Sequence, residues 1–251
     1  LDARVVDVVD TADWRREKIE YVGAGGGTAV AYLYLPRNVA LPVQVIHYIP
    51  TDAAYYGFTV PDEVEAATAA YIKSGRAVFA VVLEGYRERP VQSGSPIPSR
   101  DTIAFREFMV RWATDHARGI DYLETRPEID PSRIASLSMS VNTRKITLVS
   151  IERRYRSVVM VGAGLLTTWT NIIPECNGAN FASFMTAPKL MIHGRYDEMV
   201  TLRTEAEPLF ALLREPKELK LVDDGHIPTL EATVPIVNRW LDETMGAVRR
   251  E

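Results

Sequence analysis

Short apolar runs rich in β-branched residues alternate along this chain with segments of helical periodicity, and this alternation constrains the fold more than any other feature. Runs of this length are typical of strands buried in a parallel sheet, and the periodic segments are typical of helices that cover it. The strands are predicted at residues 43–49, 77–83, 133–137, 157–161, 189–193 and 219–222. The helices are predicted at residues 62–73, 101–124, 142–152 and 233–245.

An antiparallel hairpin is predicted before the first of these runs. Residues 18–22 and 29–35 alternate as strands do, around three glycines at 25–27. The glycine-rich stretch at 23–28 resembles a dinucleotide-binding loop, but such a loop must open a helix, and a strand-like segment follows here. The hairpin and the alternation after it predict an α/β fold: a mainly parallel central sheet with helices on both faces.

Length and composition limit the classes of protein and partner. A chain of 251 residues that is 47% hydrophobic can bury a large core, so we expect a single domain over residues 1–251, with residues 1–13 as an N-terminal extension or the end of a linker. The formal net charge is −4 and the basic residues are scattered, which argues against a nucleic-acid partner. The apolar runs are far shorter than the ~20 residues that span a bilayer, so no membrane segment is expected.

The single cysteine, Cys176, has no second cysteine in the chain with which to form a disulfide. A cytoplasmic location is therefore expected. The chain begins with Leu1 rather than methionine, which leaves open the removal of a targeting segment. A homodimer and a fusion to another domain are both left open.

Three residues that follow predicted strands have the chemistry of a nucleophilic site. Ser140 follows the strand at 133–137, and Asp197 and His226 follow the last two strands. Ligands bind open α/β sheets at the carboxyl ends of the strands, so these side chains are expected to meet. A serine is a weak nucleophile until an imidazole accepts its proton, and a buried carboxylate fixes the tautomer of that imidazole.

Several motifs, taken in order, resemble those of esterase-type α/β-hydrolases, which use Ser, Asp and His in this chain order. They are the Asp-Pro-Ser-Arg-Ile-Ala stretch at 130–135, His-Gly-Arg-Tyr-Asp at 193–197, Tyr-Leu-Glu-Thr-Arg-Pro at 122–127, and Pro-Glu at 174–175 with Asn-Phe-Ala at 180–182. The likeness is strongest to the hydrolase domain that accompanies some bacterial Ser/Thr protein kinases. It is more distant to dienelactone hydrolases and the prolyl-oligopeptidase group. The resemblance covers about residues 14–246 and implies an α/β-hydrolase fold without a large lid.

The chain departs from that pattern around the serine. Ser138 and Asn142 stand where the nucleophile elbow, the sharp strand-to-helix turn that carries the serine, usually has glycine. The oxyanion hole is predicted from the backbone N–H groups of Val141, Thr51 and Asp52. A carboxylate at Asp52 would oppose the negative charge that develops in such a hole if it faced it.

Alternatives to this assignment remain at two positions. Ser138 is the rival nucleophile, because Ser136 and Ser140 would then be its small neighbours. Asp223 and Asp224 are the rival triad acids. No metal is predicted, since no second ligand cluster at a recognised spacing accompanies these acids and the nearby histidine. The remaining histidines are expected to be structural, namely His47, His116 and His193.

The predicted substrate is a small or medium-sized ester. Trp169 and Leu165 lie in a segment that is too short for a large lid, and Tyr86 follows a strand, so these three are expected to border an open site. We therefore predict a serine carboxylester hydrolase that works through an acyl-enzyme and needs no cofactor. The alternatives are a catalytically impaired binding or regulatory module and a serine peptidase. A large N-terminal propeller usually accompanies such a peptidase.

Overall fold

A computed structural model describes residues 1–52, 57–91, 97–140, 143–165 and 171–249. The strands β1 to β9 are Arg4–Asp10, Trp14–Val22, Thr28–Pro36, Val43–Ile49, Ala77–Val82, Ile129–Met139, Ser157–Val161, Lys189–Gly194 and Lys217–Val222. The helices α1 to α5 are Val60–Lys73, Ile103–Glu124, Thr143–Ile151, Glu207–Leu212 and Leu230–Met245. Short 3-10 turns occur at Ala24–Gly26, Pro174–Cys176, Gly178–Asn180 and Ala182–Phe184, and a π-helical turn occurs at Leu202–Ala206.

All nine strands form one sheet in the order β1-β2-β3-β5-β4-β6-β7-β8-β9. The first three strands pair antiparallel, β3 pairs antiparallel with β5, and the strands from β5 to β9 run parallel. The strand order reverses at β4, because the next strand in sequence, β5, lies on one side of β4 and the following strand, β6, lies on the other side. Such a switch point opens a crevice at the carboxyl ends of β4 and β6, where α/β sheets bind ligands.

The predicted strands and helices are all present, with shifted ends. The last helix begins at Leu230 rather than at residue 233, because the Thr229 side chain accepts the N–H of Ala232 and caps the helix. The glycine-rich stretch at 23–28 is a hairpin turn between β2 and β3. Residues 1–13, which we predicted as an extension, include β1, an exposed edge strand paired with β2.

The core lies on both sides of the central strands. Every residue of β4, β5 and β7 is buried, as expected for strands that are covered on both faces. Helices α1 and α5 contact each other, as do α2 and α3. Within the described part of the chain, none of the helices combines the length and the apolar character that a membrane crossing requires.

Two histidines and a tyrosine form a buried polar cluster next to the sheet. The rings of His47 on β4 and His116 on α2 stack with their centroids 4.2 Å apart. The Tyr155 hydroxyl lies 3.0 Å from Nδ1 of His47 and 2.5 Å from Nε2 of His116. Burial lowers the pKa of His116 to about 4 and that of His47 well below its ordinary value. Both rings are therefore neutral at neutral pH.

We expect this cluster to make the protein less stable in acid. The unfolded chain binds protons on both histidines below about pH 6.5, whereas the folded chain holds them neutral, so stability is complete above this pH and falls below it. A difference of one pKa unit is worth about 1.4 kcal/mol, so His116 alone should remove about 3 kcal/mol of unfolding free energy by pH 4. Urea unfolding of wild type and His116→Gln at pH 7 and about pH 4 measures this. The same loss in both proteins would contradict the prediction.

Candidate active site

Ser140 directly follows β6 and has a strained backbone, as a nucleophile elbow requires. Its φ is +49°, in the left-handed region that residues other than glycine rarely adopt. The strain is held by neighbouring strands, because the Ser140 N–H donates to the carbonyl of Val161 at 2.9 Å. Ser140 therefore lies at the carboxyl end of β6, the strand next to β4. The rival serine, Ser138, is fully buried within β6 between Ile49 and Met160 of the neighbouring strands.

The three predicted triad side chains form a chain of two hydrogen bonds. Oγ of Ser140 lies 2.9 Å from Nε2 of His226, and Nδ1 of His226 lies 2.8 Å from Oδ2 of Asp197. When Nδ1 carries the proton and donates it to the carboxylate, Nε2 is free of hydrogen and can accept the serine proton. This arrangement has the geometry that nucleophilic catalysis by serine requires.

The carboxylate of Asp197 is fixed on its other oxygen. Oδ1 accepts the N–H groups of Met199 and Val200 at 2.9 and 2.7 Å, and the residue is only 5% exposed. His193 lies below it, where its Nε2 donates to the Val200 carbonyl at 2.8 Å and lies 3.6 Å from Oδ2 of Asp197. Burial lowers the pKa of His193, which keeps this ring neutral. His193 is thus a support for the acid.

The rival acids have other partners. Asp223 is exposed and pairs with an arginine of the loop after β8. Asp224 accepts the N–H groups of Gly225 and Thr229 at 2.8 and 2.9 Å and so shapes the loop that carries the imidazole. The acid that contacts the imidazole is therefore Asp197. Among the described residues, no group of three or more His, Cys, Asp or Glu side chains could hold a metal ion.

Two glycines allow the loop of His226 to lie directly on the ends of β7 and β8. Gly162 has a φ of +61°, and a methyl group there would come within 2.6 Å of the His226 carbonyl oxygen. A methyl group on Gly194 would overlap the carbonyl oxygen of Gly225. The position of the imidazole thus depends on the absence of side chains at these two sites.

We expect Gly162→Ala to lower kcat by about 10²-fold, because displacing a catalytic group by about 1 Å costs this much. Gly25→Ala is the matched control: its φ is +62°, yet no atom lies within 4 Å of the added methyl group. In both variants the left-handed backbone lowers the unfolding free energy by about 1–2 kcal/mol. Only Gly162→Ala is expected to move the imidazole. Ester hydrolysis and thermal unfolding of both variants test this, and equal activity in the two would show the prediction to be wrong.

The loop after β4 departs from the prediction at Thr51. The Thr51 N–H donates to Oε1 of Glu63 at 2.6 Å, and the Tyr48 hydroxyl donates to the same oxygen at 2.8 Å. An N–H that donates to a buried carboxylate is not aimed at a substrate, so the prediction that Thr51 contributes to the oxyanion hole is wrong. The other predicted donors are the N–H groups of Asp52 and of Val141, which lies outside the described residues.

The carboxylate of Asp52 belongs to an ion pair. Nη2 of Arg144, in the first turn of α3, donates to Oδ2 of Asp52 at 2.7 Å. Arg144 is itself buried and lies over the ring of Trp112, with its guanidinium carbon 5.5 Å from the centroid. The opposing charge that the sequence predicts near the oxyanion hole is therefore balanced by a guanidinium.

We predicted that three residues border the substrate, namely Tyr86, Leu165 and Trp169, and the structure describes the first two of them. Tyr86 is fully buried and donates its hydroxyl to the carbonyl of Pro50 at 3.1 Å, so a substrate cannot reach it and that prediction is wrong. Its role is to support the loop after β4. Leu165 is partly buried against the core, and its contact with substrate remains a prediction. Trp169 and Asn142 lie outside the described residues.

Sequence reasoning did not identify three charged residues beneath the site, namely Glu63, Arg144 and Lys145. Arg144 and Lys145 are adjacent at the start of α3, and both are buried. The sequence did contain a signal for them, because positive side chains near the N-terminus of a helix are unfavourable next to the positive end of the helix dipole. A pair of them four and five residues after a predicted nucleophile therefore indicated that acidic partners lie nearby.

The nine-stranded, mainly parallel sheet with its serine turn after β6 has the α/β-hydrolase fold. Acetyl xylan esterase from Paenibacillus sp. R4 matches it with a TM-score of 0.71 and 19% identity, over 97% of this chain and 89% of that chain. A cold-adapted esterase from an Arctic intertidal metagenomic library matches with a TM-score of 0.69 and 18% identity, over 96% of this chain and 98% of that chain. Glucuronoyl esterase from Solibacter usitatus matches with a TM-score of 0.68 and 13% identity, over 98% of this chain and 86% of that chain. The sequence matches no family model and no curated protein.

Proposed function

We propose that this chain is a serine hydrolase that cleaves carboxylic esters through an acyl-enzyme. The observation that carries the proposal is the hydrogen-bonded series from Ser140 through His226 to Asp197. It lies at the switch point of the sheet and includes a serine in a left-handed conformation. The esterases with the same fold support ester substrates. The finer resemblance, to kinase-associated hydrolase domains, remains part of the proposal.

The proposed reaction has two halves. In the first, Oγ of Ser140 attacks the ester carbonyl carbon while His226 accepts the hydroxyl proton, and the carbonyl oxygen becomes an oxyanion. The C–O bond to the alcohol then breaks, and the imidazolium gives its proton to the leaving oxygen. In the second half, water attacks the acyl-serine, His226 accepts and returns one proton, and the carboxylic acid leaves. The proposed oxyanion donors are the N–H groups of Val141 and Asp52.

A second candidate is a binding or regulatory module that has lost catalysis. The observation that favours it is the replacement of the elbow glycines by Ser138 and Asn142. The hydrogen-bond geometry around Ser140 opposes it, because a module without catalysis has no need for a fixed imidazole tautomer or a strained serine.

The two candidates are separated by a panel of p-nitrophenyl esters of graded acyl length, measured with wild type and Ser140→Ala. Matched p-nitroanilides in the same panel test the peptidase alternative. We expect turnover of short and medium esters that depends on Ser140. A wild type without such turnover, which also fails to react with a fluorophosphonate, would support the binding module instead.

A further inference from the structure

A buried ammonium group lies beneath the serine turn. Lys145 is only 1% exposed, and its Nζ lies 3.4 Å from the carbonyl oxygen of Met139 and 3.5 Å from that of Ser140. Burying a charge is costly unless it interacts with other charges or dipoles, so these carbonyl groups are part of what holds it there. The mechanism described above does not use this cation.

The carbonyl of Ser140 belongs to the same peptide group as the N–H of Val141. That N–H is the first of the proposed oxyanion donors. A positive charge at the oxygen of a peptide group draws electron density toward that oxygen and makes the N–H at the other end a stronger donor. The ammonium would therefore act on the oxyanion through one peptide unit, without contacting the substrate.

We propose that Lys145 is a positioning residue that orients and polarises the peptide group between Ser140 and Val141. This role rests on the proposed function. It explains why α3, which begins three residues after Ser140, has a buried cation in its first turn, where the helix dipole opposes one. It also supplies a fixed charge in a turn that lacks the usual glycines.

Charged groups from three elements surround this ammonium. They are Asp52 in the loop after β4, Glu63 on α1 and Arg144 on α3 itself. Burial lowers the pKa of Lys145 to about 8, with Arg144 acting in the same direction and the two carboxylates opposing it. The ammonium therefore loses its proton as the pH rises above about 8, and any contribution that it makes to turnover is lost with it.

The test is Lys145→Met, which removes the charge and keeps an unbranched side chain. Lys189→Met is the matched control, because Lys189 is also fully buried with its Nζ 2.6 Å from a backbone carbonyl, that of Arg214, but begins β8 at the opposite end of the sheet. We expect kcat to fall by about tenfold in Lys145→Met, less than the ~10²–10³-fold loss of a direct oxyanion donor. KM should be unchanged, since the charge acts on the transition state.

The pH profile separates this role from a purely structural one. In the wild type kcat should fall above about pH 8, the pKa of Lys145, whereas in Lys145→Met it should stay level over the same range. An active wild type with no alkaline fall, or a Lys145→Met variant with wild-type kcat, would overturn this role alone. A wild type without turnover that depends on Ser140 would overturn the proposed function and this role together. Thermal unfolding of both methionine variants shows whether they remain folded.

Discussion

Ser140→Ala is expected to lower kcat for ester hydrolysis by on the order of 10⁶-fold, the loss seen when a triad serine is removed. The imidazole and the proposed oxyanion donors remain, but no covalent bond to the acyl group can form. The strained backbone is retained, because its N–H still donates to the Val161 carbonyl. A fluorophosphonate, which bonds to an activated serine oxygen, should add its mass to the wild type and not to the variant. Mass spectrometry of the labelled peptide identifies the residue.

The matched control is Ser138→Ala, two residues earlier on the same strand. Ser138 is fully buried, and its hydroxyl has no hydrogen-bond partner in the described part of the chain. Removing a buried hydroxyl without a partner costs little or stabilises the protein, so activity and labelling should be those of the wild type. Labelling that survives Ser140→Ala and disappears in Ser138→Ala would show that the nucleophile is the earlier serine.

The fold could be predicted because its signals are local and repeated. A run such as β5 is apolar at every position, which indicates cover on both faces, and the Thr59 and Asp62 side chains that cap α1 are only three residues apart in sequence. The candidate triad could be predicted for a related reason. The carboxyl ends of parallel strands meet at one edge, so residues that follow the strands converge wherever the sheet forms.

The support around the site could not be predicted in this way, because it depends on contacts between elements that are distant in sequence. The Thr51 N–H meets Glu63 of α1, and the Tyr86 hydroxyl meets the carbonyl of Pro50, 36 residues away. A position after a strand says that a residue is near the site, but not whether it faces the substrate or the core. Tyr86 was misassigned for this reason, since an aromatic ring suits either environment.

Asp197→Asn is expected to lower kcat by about 10⁴-fold, as the equivalent change does in a Ser-His-Asp triad. The structure explains how this would occur here. Oδ1 of Asp197 accepts two backbone N–H groups, those of Met199 and Val200, so the carbonyl oxygen of an asparagine would keep this position. The NH₂ group would then point at Nδ1 of His226. Because that nitrogen would have to accept, its proton would move to Nε2, which could no longer take the proton of the serine.

Asp224→Asn is the control for this change, because it alters the rival acid close to the same histidine. Asp224 accepts the N–H groups of Gly225 and Thr229, one on each oxygen, and one of these bonds is lost when an oxygen becomes NH₂. The residue is half-buried and its other hydrogen bond remains, so the loop should loosen slightly and kcat should change by less than about tenfold. Steady-state kinetics with one short-chain ester, and thermal unfolding of both variants, measure the difference. A loss in Asp224→Asn as large as that in Asp197→Asn would mean that activity depends on the shape of the loop. A near-normal Asp197→Asn enzyme would mean that the imidazole finds its tautomer without this acid.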